Sequence, residues 1–242
     1  MRAALAALAL VAAPALAQEA DPKAEFVADN LVAVFYHELG HALIDQLNLP
    51  VLGKEEDAAD ILSVLLVDEV WEPEAAQEIV ANTAYAYALS AEEGEGDDPM
   101  YWDVHGHDMQ RYFTHVCLFY GADPENRADF AASANLPEER AATCAEEREL
   151  ADESWWTYLQ PLADQAPGMA ISLDAAEDEF IAGVISEEID TLNERFDLPQ
   201  EITVDIESCG EVNAYYIPDE SRILMCTEFA DFLWERAQSA DL

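Results

Sequence analysis

The sequence predicts an α+β chain, mainly helical, that ends in a small antiparallel sheet. Two rhythms carry this reading. From Glu25 to Leu47 apolar residues recur at helical spacing, and the same spacing returns in most of the chain that follows. Beyond Leu198-Pro199 the period falls to two, with Ile202, Val204 and Ile206 alternating with Thr203, Asp205 and Glu207.

The chain opens Met1-Arg2, runs through Ala, Leu and Val, and reaches Ala15-Leu16-Ala17 before polar Gln18-Glu19. That is the pattern of a secretory leader over residues 1–17, and it predicts a periplasmic or extracellular location. Its apolar part is too short to span a bilayer, and no later stretch suffices, so no transmembrane segment is expected after cleavage. Residues 18–242 are expected to form one domain, in which 200–242 is a C-terminal strand-and-helix segment.

The first helix, Glu25 to Leu47, stops at Asn48-Leu49-Pro50. A loop through Gly53 leads to a second, whose first turn, Lys54-Glu55-Glu56-Asp57, is acidic and whose body is apolar from Ala58 to Leu66. Residues 74–90 continue the helical pattern, and Ala91 to Asp98, rich in Glu, Gly and Asp, reads as a solvated loop before Pro99. Tyr101 to Tyr120 is expected to be helical and holds three of the five histidines. Leu136-Pro137-Glu138-Glu139 opens another helix, past which Trp155 and Trp156 are expected in the core. Three antiparallel strands are then expected between Ile202 and Cys226, with a turn at Pro218 to Ser221, and a closing helix from Thr227 to about Gln238.

With 52 acidic and 10 basic residues, the net charge of −42 repels phosphate backbones and excludes nucleic acid as a partner. Four cysteines in an exported chain predict two disulfides. Cys117 with Cys144 and Cys209 with Cys226 are the expected pairs, since each closes a local loop and the second lies across the expected hairpin. No C-x-x-C spacing favours cysteine as a metal ligand.

The chemistry concentrates in His37-Glu38-Leu39-Gly40-His41. Residues four apart share a helical face, so His37 and His41 can aim ring nitrogens at one metal ion, while Glu38 lies beside water on that ion as a general base. Zinc is the expected cofactor. An open catalytic site needs a third protein ligand, and the acidic turn from Glu55 to Asp60 supplies candidates. Glu56 and Asp60 share a face, which suits one as ligand and the other as the partner that orients a histidine. Asp57 remains the rival ligand.

These two motifs resemble those of the gluzincin group of metallopeptidases, and in particular a family of exported bacterial metallopeptidases without an assigned substrate. The likeness extends to the segments His105 to Phe113, Leu136 to Ala141 and Cys209 to Tyr216. It implies a zincin-like fold and zinc ligands His37, His41 and Glu56. His105 sits at the position that would donate a hydrogen bond to a developing oxyanion, with Asp108 and Arg111 to orient it. Tyr215 and Tyr216 are weaker candidates for that task, and His115 is expected to be a packed residue.

The expected reaction is hydrolysis of a peptide bond in a peptide or protein substrate. The alternatives are an envelope protein that binds zinc or peptide without turnover, and a hydrolase of cell-wall amides. The sequence leaves the oligomeric state open.

Overall fold

The computed structural model describes residues 21–94 and 100–240. The leader expected over 1–17 and residues 95–98 of the loop expected before Pro99 lie outside the described residues, and Ala91 to Glu93, expected in that loop, are helical.

Helix α1, Pro22–Gln46, begins where Asp21 accepts from the Lys23 amide and Pro22 presets the first turn. Its buried residues run round the whole circumference, from Phe26 to Ile44, so it is a central helix rather than a surface one. Two helices pack against it, α2, Glu55–Val70, and α3, Pro73–Glu93, and α4, Asp108–Ala122, packs on both of these. A short α5, Ala128–Ser133, leads to the long α6, Glu138–Ala163, which the Cys117–Cys144 disulfide joins to α4. Trp155 is buried on α6, as expected, and Trp156 is half-buried beside it.

The second half adds β1, Ile171–Ala176; α7, Glu179–Arg195; β2, Ile202–Glu207; β3, Ala214–Ile217; β4, Arg222–Cys226; and α8, Thr227–Ser239. The fold is thus mainly helical α+β with a small C-terminal sheet. The expected all-antiparallel pairing is corrected. Strand order is β1-β2-β4-β3; β1 with β2 and β2 with β4 are parallel, and only β3 with β4 is antiparallel. Two causes are visible. Helix α7 returns the chain so that β1 lies parallel to β2, and β4 inserts between β2 and β3, where buried Ile223 and Met225 register with Val204 and Ile206. Ser221, at φ 47°, closes the tight turn between β3 and β4, and the expected Cys209–Cys226 disulfide ties the loop before β3 to the end of β4.

The helix expected from Tyr101 starts only at Asp108. Asp103 accepts from the His105 amide through its side chain, a local turn that competes with helix, and Gly106 follows. His107 then caps α4, bonded reciprocally with Gln110. His105 and His107 are therefore loop residues.

Candidate metal centre

Helix α1 brings His37, Glu38 and His41 to one wall of a cleft of about 530 Å³, and α2 brings Glu56 to the same place. His37 Nε2, His41 Nε2 and Glu56 Oε2 form a triangle, each 3.2 Å from the other two. A tetrahedral ion of zinc's size, with ligands at about 2.0–2.1 Å, spaces them by about 3.3–3.4 Å. Two imidazole nitrogens and a carboxylate oxygen at that spacing fit such an ion, and three protein ligands leave a fourth position for a reactant. Among the described residues these three form a group able to hold a metal.

The triangle depends on how closely α2 approaches α1. A methyl group on Gly40 would lie 3.0 Å from Ala59 Cα and 3.1 Å from its Cβ, so glycine at 40 and alanine at 59 let the helices touch. His37 and Glu56 stand three residues before Gly40 and Ala59, and His41 directly follows Gly40.

Asp60, 4% exposed, fixes the first of them. Its Oδ1 is 2.8 Å from His37 Nδ1, and Arg111 of α4 grips both its oxygens at 2.7 Å. Nδ1 therefore carries a proton toward Asp60 and Nε2 is left for a metal. Burial pulls the His37 pKa down, but its hydrogen bonds to Asp60 and Glu56 prevail and bring it to about 9. The Asp60 carboxyl is opposed by burial, yet His37 and Arg111 hold it well below the usual range. His41 is treated likewise: burial lowers its pKa, and hydrogen bonds to Glu56 and Glu55 raise it further. Glu56, surrounded by His105, His37 and His41, is held far below an ordinary carboxylate.

Glu38 is 6% exposed and contributes no corner of the triangle. Burial pushes its pKa up, and the two motif histidines only partly counter that. The backbone of Tyr216 in β3 lies against its carboxylate.

His105 stands at the rim, its Nε2 3.0 Å from Glu56 Oε2 and its Nδ1 3.3 Å from Asp103 Oδ1. Hydrogen bonding to Glu56 raises its pKa. Asp108 and Arg111 do not orient it: Arg111 is taken by Asp60. That task falls to Asp103 and to Lys54, whose Nζ binds the carbonyls of Asp103 and His105. Both escaped the sequence reading, although an aspartate two residues before a histidine is a turn signal that marks Asp103. Asp57 is exposed and faces Gly106 rather than the histidines. Tyr216 gives its hydroxyl to Asp45 of α1, while Tyr215 lines the cleft. His115 is buried on α4, at 2% exposure.

A family model described as "Putative metallopeptidase" matches residues 8–159 and 176–241, most of the chain. No curated protein and no solved structure matches it.

Proposed function

We propose that this chain, which belongs to the putative metallopeptidase family, is an exported zinc peptidase working as one domain over residues 18–242, with His37, His41 and Glu56 as metal ligands. The observation that carries the reading is the donor triangle with a buried, unligated glutamate, Glu38, directly after its first corner. Export rests on the leader pattern and agrees with the two disulfides.

Zinc held by these residues supplies a Lewis acid that polarises a carbonyl and acidifies water. Glu38 takes the proton from the attacking water and passes it to the leaving amine; its raised pKa suits both halves of that task. His105, whose pKa its hydrogen bond to Glu56 raises, stands at the rim where an N–H can be offered to negative charge developing on the carbonyl oxygen. Asp60 and Arg111 hold the His37 ring in its tautomer. Strand β3 supports a peptide substrate, because it is the last strand of the sheet and lines the cleft, so its outer edge can pair with an extended chain.

The test has two arms. Elemental analysis of the purified chain should find about one zinc, and digestion of a peptide library should stop when a chelator is added. Glu38→Gln should retain the metal while hydrolysis falls by roughly 10²–10⁴, the usual contribution of a general base. Cleavage that survives chelation, or that Glu38→Gln leaves intact, refutes the mechanism.

A further inference from the structure

A second cavity of about 210 Å³ lies against the cleft, and His37, Glu38, His105, Asn213 and Ala214 line both. Part of its wall is apolar, from Val34, Ala86, Phe229, Phe232 and Leu233. The polar part is lopsided.

His115, 2% exposed, has its Nδ1 3.0 Å from the Arg111 carbonyl. A carbonyl only accepts, so Nδ1 bears the proton and Nε2 presents a bare lone pair. That nitrogen has no hydrogen-bond partner among the described residues. Asn30, 5% exposed, repeats the pattern: its Nδ2 donates to the carbonyls of Phe26 and Asn82, and its Oδ1 has no donor among the described residues. The Ser63 and Thr83 hydroxyl protons go to the carbonyls of Ala33 and Ile79, which leaves lone pairs. Arg111 also lines the cavity, but its Nε and Nη2 are held by Asp60, whose carboxylate balances its charge. Asp108 also lines the cavity, and its carboxylate has no ion-pair partner among the described residues.

Polar groups inside a protein are nearly always paired. Bare acceptors on Asn30 and His115, beside an Asp108 carboxylate outside any ion pair among the described residues, are complementary to a group with N–H bonds and a positive charge. We infer that it is the specificity subsite of the proposed peptidase for a basic side chain, lysine or arginine, beside the scissile bond. The cationic end meets Asn30, His115 and Asp108, and the hydrocarbon stem lies along the apolar wall. A neutral amide would satisfy fewer acceptors and leave Asp108 unpaired. The net charge of −42 adds a long-range field of the same preference. The word subsite rests on the peptidase reading, whereas the affinity for a cation does not.

Binding is therefore measured without turnover. Calorimetric titration of the chelator-treated full chain with Nα-acetyl-argininamide and Nα-acetyl-leucinamide, at low ionic strength, should show the arginine derivative binding at least tenfold tighter. Asp108→Asn should lose about tenfold of that affinity, and Asp108→Lys, which introduces a competing cation, should abolish it; circular dichroism checks that both variants fold. Equal or tighter binding of the leucine derivative, no binding of the arginine derivative, or indifference to Asp108→Asn overturns the inference. A peptide-library digest by the zinc-loaded chain separates the two ideas. Cleavage beside Lys or Arg supports both, and cleavage with no basic preference overturns the subsite alone. No cleavage, with arginine binding intact, overturns the peptidase and leaves the cation site standing.

Discussion

A chain stripped of metal by a chelator should lose stability as the pH rises from 6 toward 9.5, and saturating zinc should remove that trend. His37 has a folded pKa of about 9 against an ordinary value of 6.5, so folding tightens its hold on one proton by 9 − 6.5, or about 2.5 pH units. At about 1.36 kcal/mol per unit this amounts to roughly 3 kcal/mol. Because the pKa is raised, the stabilisation is fully present below pH 6.5 and disappears as the pH climbs through 9. Glu56 and Asp60 are depressed, so their contribution is present above the ordinary carboxylate range and disappears in acid. The stripped chain should therefore be most stable at about pH 5–6.5. For a chain of this size roughly 2–4 °C of melting temperature accompany each kcal/mol, which puts the alkaline loss at about 6–12 °C. Zinc replaces the proton on Nε2, so the loaded chain has no such proton to lose. Differential scanning calorimetry across the range, with chelator and with zinc, measures both curves. A stripped chain whose melting temperature stays flat or rises toward pH 9.5 refutes the reasoning.

Other perturbations reach the same site from different directions. Asp60→Asn removes the charge that fixes His37 and grips Arg111, and zinc affinity measured against a competing chelating dye should fall about ten- to a hundredfold; an unchanged affinity would make Asp60 a bystander. Gly40→Ala sets a methyl 3.0 Å from the Ala59 backbone, which cannot swing aside as a side chain could, so a loss of about 1–3 kcal/mol and a reduced zinc content should appear together. Normal melting and full zinc in that variant would show that the helices do not need this contact. Added sodium chloride should raise the melting temperature, since it screens the self-repulsion of a chain of net charge −42 more than its buried ion pairs; a melting temperature that falls with salt would mean that exposed ion pairs dominate.

What the sequence disclosed follows the range of the interactions involved. The spacing of His37 and His41, and of Glu56 and Asp60, is local helix geometry, and helical phase alone already turns Asp57 about 100° away from Glu56. Helix α1 was legible because its apolar residues repeat over many turns. By contrast, β1 has one buried residue, Ile171, and an exposed second half, and it ends in two alanines, so it lacks the sustained alternation that marked β2. Without β1 and α7, nothing in the sequence indicated that β2 has parallel neighbours on both sides. The link from Arg111 to Asp60 spans 51 residues and depends on how α4 leans on α2, which no local pattern encodes. His105 lies in a loop where helical spacing predicts a helix, because the side chain of Asp103 captures its amide, a competition that apolar periodicity does not register.

The few positive charges explain how so acidic a chain builds a closed site. Ten basic residues face 52 acidic ones, and each arginine among the described residues pairs with a carboxylate. Several of these pairs lie at helix junctions. Arg127 and Arg148 converge on Asp68 of α2, and Arg236 of α8 reaches Glu93 of α3. Arg111 with Asp60 is the same device, placed where it also sets a histidine tautomer. Clamping the helices in this way uses up the arginines and leaves Lys54 as the basic residue lining the cleft, with its ammonium held by the carbonyls of Asp103 and His105. A cation entering the proposed subsite would meet Asn30, His115 and Asp108, while Arg111 on the same wall is already held by Asp60. The pair that clamps α4 to α2 thus also balances the charge of the arginine that lines the proposed subsite.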